Sequence, residues 1–165
     1  GLRAHREALE VDEEQPLLGI VGQALLERDD TSGAVGVIGF CMGGGFALLL
    51  AGQGGYGAAS VNYGQLPADL DDALDGACPI VGSFGGRDLT LVGAAQKLEA
   101  ALDARGIEHD VVEYAGAGHA FLNDIPNGTR LARITLGPIL RIGYRADEAA
   151  DTWARIDAFF RRTLD

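Results

Sequence analysis

Short apolar runs recur along the chain, and longer stretches that mix apolar and polar residues separate them. Such runs occupy residues 35–40, 58–63, 79–84 and 109–114, with Gly, Pro or Asp close to their ends. Bounded runs rich in β-branched and aromatic residues predict β-strands. A run as continuous as 35–40 is typical of a strand buried on both faces of a parallel sheet. The sequence therefore predicts about four strands.

Apolar residues at helical spacing fill the intervals between these strands. Helices are predicted near 15–28, 46–51, 91–104 and 147–164. The last helix has a predicted apolar stripe made of Ala150, Trp153, Ala154, Ile156, Phe159 and Phe160. Strands that alternate with helices predict a mostly parallel sheet flanked by helices, which is the α/β class. The length of 165 residues fits a single domain spanning 1–165.

A cysteine stands between glycines in the segment 39–43, directly after the first predicted strand and directly before a predicted helix. This order is the pattern of a nucleophile elbow with Cys41 at its centre. Gly39 and Gly43 are expected to be small so that strand and helix can approach each other closely. The turn would hold the sulfur at a helix N-terminus, where the helix dipole stabilises negative charge.

Two further residues with acid–base chemistry follow predicted strands. Asp88 comes after the third strand and His119 after the fourth. The carboxyl ends of parallel strands meet at one edge of a sheet, so Cys41, Asp88 and His119 are expected to converge there. A histidine can accept a thiol proton while a carboxylate orients the ring, and the order nucleophile, acid, histidine is that of α/β hydrolases. Taken singly, Asp88 also fits a helix N-cap and His119 a turn residue.

Composition and charge exclude several functions. The net charge of −11, with most Lys and Arg residues separated from one another, disfavours a nucleic-acid partner. The chain lacks an apolar run of membrane-spanning length and its polar opening is no signal peptide, so a cytoplasmic protein that binds no membrane is expected. Two cysteines are too few for a disulfide framework, and Cys78 is interpreted as a buried small hydrophobe. The spacing of Cys and His does not suit zinc, and neither a metal nor a cofactor is expected.

Taken together, the motifs resemble the dienelactone hydrolase family of α/β hydrolases over nearly the whole chain. The family's cysteine elbow has the form G-x-C-x-G-G, which residues 39–44 match. The other matching segments are Asn-Tyr-Gly at 62–64, Gly-Gly-Arg-Asp at 85–88, Ala-Gly-His-Ala-Phe at 117–121 and the closing helix at 153–160. The resemblance implies an α/β-hydrolase fold.

The same resemblance implies hydrolysis of a small ester or lactone through a thioester. It assigns Cys41 as the nucleophile, His119 as the base and Asp88 as the acid that orients the base. The backbone N–H of Met42, the residue after the nucleophile, would donate to the oxyanion. A small-molecule ester or lactone is the partner that this resemblance predicts.

The chain also departs from the family pattern. The resemblance begins at the helix before the elbow. Three features of the family therefore have no counterpart in the chain: the N-terminal strands, a glutamate that assists thiol activation and a second oxyanion donor. This difference predicts an N-terminally truncated domain. Asn123 stands where characterised dienelactone hydrolases have a carboxylate-binding arginine, and Val92 where a proline is common. Dienelactone is therefore not the expected substrate. The candidates for substrate contact are Tyr63, Phe121 and Asn123.

Two other functions compete with hydrolysis. A class I glutaminase also places a cysteine in such an elbow, but it has a His-x-Glu sequence, and Phe121 stands where that glutamate would be. The glutaminase is therefore disfavoured. A catalytically silent or partner-dependent remnant stays open, because missing strands would leave a sheet edge exposed and prone to self-association.

Overall fold

A computed structural model describes residues 22, 24–31, 33–124 and 139–164. Its strands are β1 (Gly36–Phe40), β2 (Ala58–Asn62), β3 (Ile80–Gly85) and β4 (His109–Tyr114). Its helices are α1 (Met42–Gly52), α2 (Leu70–Ala73), α3 (Ala94–Arg105) and α4 (Ala146–Leu164). The alternation of strands and helices confirms the predicted α/β class.

The strands form one parallel sheet in the order β1-β2-β3-β4. Phe40 at the end of β1 pairs with Asn62, and Gly85 at the end of β3 pairs with Tyr114. The carboxyl ends of the strands therefore lie at one edge, as the sequence predicts, and each loop that follows a strand begins there.

Apolar packing covers both faces of this sheet, because successive residues of a strand point to opposite sides. Ala59 and Ile80, which pair with each other, belong to the larger core together with α1 and α3. Their chain neighbours Ala58 and Val81 belong to a smaller cluster with Phe159 of α4. The site-bearing loops are thus anchored in a sheet that is fixed from two sides.

The predicted strands agree closely with the observed ones. β4 begins and ends at the predicted residues, and the ends of the other strands differ from the prediction by about one residue. Of the helix predicted near 15–28, Gly22 and residues 24–26 are helical, and much of the remainder lies outside the described residues.

The burial of β1 differs from the prediction of a strand covered on both faces. β2 and β3 are fully buried, whereas β1 forms an edge and pairs only with β2 within the described part of the chain. Ile38 is consequently 40% exposed. An apolar run shows that a strand can be buried, but it does not show whether a neighbour is present on each side.

The helix α3 begins at Ala94, later than its predicted start at 91. Gly93 adopts a left-handed conformation with φ 74°, which an α-helix does not admit, so the turn before it stays non-helical. Gly106, with φ 63°, ends the helix in the usual way.

The buried stripe of α4 is partly different from the predicted one. Ile156 and Phe159 are buried as predicted, but Ala149 and Thr152 are buried in place of Ala150 and Ala154. Trp153 is 46% exposed. The difference is a rotation of the helix by about one position, which the composition of the stripe did not resolve.

Arg155 links α4 to the two strands that precede the acid and the histidine. Its guanidinium donates hydrogen bonds to Asp110 Oδ2 at 2.9 Å, to Ser83 Oγ at 3.2 Å and to the Tyr114 hydroxyl at 3.3 Å. The side chain is largely buried. Hydrogen bonds to a charged donor in such a place are stronger than neutral ones, so they fix β3 and β4 against the helix.

Candidate active site

The loop between β1 and α1 is a tight turn centred on Cys41. Its φ of 55° and ψ of −122° are rarely adopted by residues with a side chain, and the residue is the N-cap of α1. The Cys41 N–H donates to the Asn62 carbonyl at 3.0 Å, and the Cys41 carbonyl accepts from the Gly44 N–H at 3.0 Å. Cys41 is exposed. The backbone thus presents the sulfur at the sheet edge, next to the first turn of a helix.

Glycine is required at one position on each side of this turn. A Cβ at Gly39 would lie 1.9 Å from the Gly43 carbonyl oxygen. The expectation that Gly43 must also be small is wrong for its own Cβ, which would meet no described atom within 4 Å. The close contact is at Gly44 instead, where a Cβ would lie 2.8 Å from the Asn62 carbonyl oxygen.

Substitution of Gly39 by alanine is expected to reduce the free energy of unfolding by at least about 3 kcal/mol, because backbone on both sides of the turn would have to move. The matched control is Gly43→Ala, which places the same methyl group in open space and is expected to change stability by less than about 1 kcal/mol. Urea denaturation measures both. Equal losses for the two variants would contradict the close approach at Gly39.

The loops after β3 and β4 bring Asp88 and His119 into direct contact. His119 Nδ1 lies 2.6 Å from Asp88 Oδ2, and the two residues are 9% and 1% exposed. The other carboxylate oxygen, Oδ1, accepts hydrogen bonds from the Thr90 N–H at 2.9 Å and from the Thr90 hydroxyl at 2.6 Å. Both oxygens of the Asp88 carboxylate are therefore occupied, which fixes the orientation of the carboxylate against the ring.

His119 also contacts the cysteine, and its ionisation reflects both neighbours. Burial acts to lower the pKa of His119, but the hydrogen bonds to Asp88 and to the Cys41 side chain outweigh it, and the net pKa is raised. Since Nδ1 is bonded to Asp88, the nitrogen available to the sulfur is Nε2. Burial likewise acts to raise the pKa of Asp88, but hydrogen bonds from His119 and Thr90 outweigh it, and the net pKa is lowered.

These shifts predict a pH-dependent contribution to stability. Folding raises the pKa of His119, so its contribution is complete below the ordinary imidazole value of 6.5 and is lost as the pH rises through the folded value. Folding lowers the pKa of Asp88, so its contribution is complete above 3.8 and is lost as the pH falls through the folded value. The wild type should therefore exceed His119→Gln in unfolding free energy by more near about pH 5 than near about pH 9. Urea melts at both pH values check this, and a constant difference would contradict it.

The histidine loop is held by backbone contacts with two neighbouring segments. A Cβ at Gly85, the end of β3, would lie 2.5 Å from the Gly118 carbonyl oxygen, so the acid and histidine loops touch through their backbones. The His119 N–H donates to the Leu140 carbonyl at 2.7 Å. These contacts leave the imidazole little freedom to move away from Asp88.

Unfavourable backbone conformations concentrate at this edge of the sheet. Among the described non-glycine residues with positive φ are Cys41 (55°), Tyr63 (39°) and Ala120 (57°), which lie after β1, after β2 and beside His119. Such conformations persist where the surrounding structure enforces them, and they are common at functional sites.

An open cavity of about 630 Å³ adjoins these residues, and Cys41, His119 and Tyr63 contribute to its lining. The Tyr63 ring centroid lies 5.2 Å from that of His119. Phe121 and Asn123, the other two predicted substrate contacts, do not line the cavity. Phe121 is fully buried against Tyr63, and Asn123 Oδ1 accepts a hydrogen bond of 3.4 Å from the Tyr63 hydroxyl. Both residues therefore contact Tyr63, Phe121 through its ring and Asn123 through the hydroxyl.

Two supporting residues were not assigned a role from the sequence. Asn62 donates from Nδ2 to the Gly39 carbonyl at 3.1 Å and to Ser60 Oγ at 2.9 Å, and thereby joins the elbow to β2. Thr90 fixes the Asp88 carboxylate. An Asp followed two residues later by Thr is a recognisable turn signal, so Thr90 was detectable. Asn62 had a weaker signal, a polar residue at the end of an otherwise apolar strand.

Within the described ranges, the structure contains no cluster of three or more His, Cys, Asp and Glu side chains arranged to hold a metal ion. A helix with the length and apolarity needed to cross a membrane is likewise absent from those ranges.

The model of the dienelactone hydrolase family matches residues 12–164, which is nearly the whole chain. The chain belongs to the dienelactone hydrolase family. The predicted resemblance is therefore confirmed.

Curated relatives within this family are considerably longer than the chain. A protein of Methylorubrum extorquens, provisionally named a carboxymethylenebutenolidase, is 32% identical over 139 residues, which cover 78% of this chain and 43% of that protein. A protein of the same provisional name from Saccharolobus solfataricus is 30% identical and is covered to 43% of its length. The chain thus spans less than half the length of these relatives.

Solved structures of dienelactone hydrolases and related enzymes have the same fold. A protein of Klebsiella pneumoniae, provisionally called a dienelactone hydrolase, superposes with a TM-score of 0.70 at 24% identity, over 87% of this chain and 58% of that one. MGS-M1, an α/β-hydrolase enzyme from a deep-sea metagenome, superposes with a TM-score of 0.63 at 14% identity, over 93% of this chain and 66% of that one. The α/β-hydrolase fold predicted for the chain is therefore confirmed.

Proposed function

We propose that the chain is a cysteine-dependent hydrolase that cleaves a small ester or lactone through a thioester acyl-enzyme. The observation that carries this proposal is the 2.6 Å hydrogen bond between His119 and Asp88 beside an open cavity that Cys41 and His119 both line, with Cys41 also interacting with the His119 ring. Membership of the dienelactone hydrolase family supports the same class of reaction. The catalytic residues in this proposal are Cys41, His119 and Asp88.

In the first half of the reaction, His119 Nε2 takes the thiol proton and the Cys41 sulfur attacks the carbonyl carbon. The carbonyl oxygen becomes an oxyanion, towards which the Met42 N–H donates; as the first residue of α1, Met42 has no intrahelical partner for that N–H. The C–O bond then breaks, the leaving oxygen takes the proton from His119, and a thioester remains. Asp88 stabilises the positive charge on the imidazole while it carries the proton.

In the second half, His119 takes a proton from water and the oxygen of that water attacks the thioester carbon. The C–S bond breaks, the carboxylic acid leaves, and the proton returns from His119 to the sulfur. The side chain of Cys41 is thereby restored. With a lactone, the alcohol and acid groups stay in one molecule, since the bond that breaks lies within its ring.

Selective alkylation of Cys41 tests whether this sulfur is the reactive thiol. Burial raises the pKa of the Cys78 thiol to about 11, so that thiol is neutral near neutral pH, whereas Cys41 is exposed and contacts His119. Iodoacetamide should therefore modify Cys41 at least about tenfold faster than Cys78, as measured by peptide mapping. Equal labelling of the two thiols would contradict the assignment of Cys41.

Trapping of the acyl-enzyme tests the thioester itself. Rapid acid quenching during turnover of a p-nitrophenyl ester should leave the acyl group on the peptide that contains Cys41, and neutral hydroxylamine should remove it. An acyl group on another residue would contradict this covalent route. Turnover without any adduct would contradict it as well, provided that the time resolution is sufficient to detect a burst of p-nitrophenol.

A second candidate function is a remnant that is silent alone or active only with a partner chain. One observation favours it: among the described residues β1 pairs only with β2, and its Ile38 is 40% exposed. Such an edge could also pair with a second copy of the chain. Gel filtration combined with an esterase assay separates the candidates, because monomeric folded protein with turnover supports the hydrolase and folded protein without turnover supports the remnant.

A cytoplasmic location is part of the same proposal. The mechanism needs Cys41 as a free thiol, and both Cys41 and Cys78 are free in the structure. The cytosol keeps such thiols reduced.

A further inference from the structure

The cavity next to Cys41 has a largely apolar wall. Seven apolar side chains contribute to its lining: Met42, Phe46, Leu49, Leu66, Pro67, Leu91 and Leu140. Met42, Phe46 and Leu49 follow one another at helical spacing on α1 and stay 72%, 45% and 39% exposed. Apolar side chains that remain in contact with water next to a reactive group gain free energy when an apolar ligand covers them.

Apart from Cys41 and His119, the described lining of the cavity contains no ionised side chain. Its other polar side chains are Gln65, Thr90 and Tyr63, and burial raises the pKa of Tyr63, which keeps the phenol neutral. No Lys, Arg, Asp or Glu is present among the described lining residues. Several of the described arginines form ion pairs outside the cavity, as Arg155 does with Asp110 and Arg105 with Asp71.

A carboxylate bound in this cavity would therefore lose water without gaining a cation from the described lining residues. Taking an ion out of water is costly unless an opposite charge or several hydrogen bonds replace the hydration shell. The net charge of −11 adds an unfavourable field for any anion that approaches. An uncharged acyl chain encounters neither cost.

We propose that this cavity selects uncharged esters and lactones with an apolar acyl chain and rejects those that carry a carboxylate. This inference rests on the proposed function, because it takes Cys41 as the reacting group. The acyl chain lies against Phe46 and Leu49 on α1, with its carbonyl carbon at the sulfur.

A matched pair of thiol reagents tests this selectivity without turnover. N-hexylmaleimide and 6-maleimidohexanoic acid both add to Cys41, and they differ in a terminal carboxylate. On the folded chain, the neutral reagent should modify Cys41 at least about tenfold faster than the anionic one. In urea the same chain should show a ratio within about twofold of unity, which corrects for the intrinsic reactivity of the reagents. Peptide mapping distinguishes modification of Cys41 from modification of Cys78.

Charge variants locate the selectivity in the cavity. Leu49→Arg places a cation in the lining and should reduce the ratio of the two rates at least about fivefold. Ala104→Arg makes the same change of net charge at an exposed position near the end of α3, on the opposite side of the sheet from the site, and should leave the ratio within about twofold. If Leu49→Arg does not fold, Phe46→Arg replaces it, because Phe46 is at least as exposed.

The hydrolysis of a matched ester pair completes the test. The p-nitrophenyl ester of 6-methylheptanoic acid should have a kcat/KM at least about tenfold higher than the mono-p-nitrophenyl ester of adipic acid, which has the same shape with a terminal carboxylate. Turnover of both esters at equal rates, equal maleimide rates on the folded chain, or an Ala104→Arg effect as large as that of Leu49→Arg would overturn the inference. Selective maleimide addition without hydrolysis of either ester would support the inference and overturn the proposed function.

Discussion

Replacement of Cys41 by alanine is expected to reduce kcat/KM for a p-nitrophenyl ester by about 10⁴-fold or more. The side chain of Cys41 is the proposed nucleophile, and the described lining of the cavity contains no second thiol. Because Cys41 is exposed, the loss of its sulfur should leave the free energy of unfolding within about 1 kcal/mol of the wild type. The variant and the wild type are compared in two measurements on the same preparations: the initial rate of p-nitrophenol release and urea denaturation.

The matched control is Cys78→Ala, which removes the other thiol of the chain. Its activity should stay within about twofold of the wild type, although partial burial of Cys78 makes some loss of stability expected. A Cys41→Ala variant that keeps more than about a tenth of the wild-type activity would show that the hydrolysis takes place elsewhere.

Substitution of Asp88 by asparagine is expected to lower kcat by about 10³ to 10⁴-fold, although it changes little in size. The reason lies in the two donors of Thr90, its N–H and its hydroxyl, which both point at Oδ1. In the variant they would hold the amide oxygen at that position and turn the amide NH₂ towards His119 Nδ1. Nδ1 would then accept a hydrogen bond, the ring proton would move to Nε2, and Nε2 could no longer take the proton of Cys41.

Two measurements check this account of Asp88. The kcat of Asp88→Asn is compared with that of Asp75→Asn, an exposed aspartate that undergoes the same change of charge and should retain full activity. Alkylation of Cys41 by iodoacetamide should slow in Asp88→Asn, since the histidine no longer helps to remove the thiol proton. Unchanged alkylation and unchanged kcat would mean that Asp88 serves only to hold the loop.

The sequence predicted the arrangement of the strands well because their signals are local. The β-branched pair at the centre of β4 and the glycine before it define that strand without reference to the remainder of the fold. The start of α3 was missed because Gly93 takes a left-handed conformation. Burial of β1 was overestimated, since burial depends on neighbouring strands that a run of apolar residues does not describe.

The candidate site was predictable to the level of which residues meet, but not to the level of what holds them. Cys41, Asp88 and His119 each follow a strand, and the rule that strand ends share an edge brings them together. The supporting contacts of Asn62 and Thr90 depend on side-chain directions and on distances between loops. These directions and distances cannot be predicted from the sequence pattern alone.

At Cys41, Tyr63 and Ala120, selection for stability conflicts with selection for the geometry of the site. Each of these residues has a positive φ, which costs energy that a relaxed backbone would release. Relaxation at any of them would also withdraw a side chain or a loop from the place where the reaction is proposed. In a lineage that adapts to heat, stabilising substitutions are therefore expected mainly at the amino end of the sheet, far from these three positions.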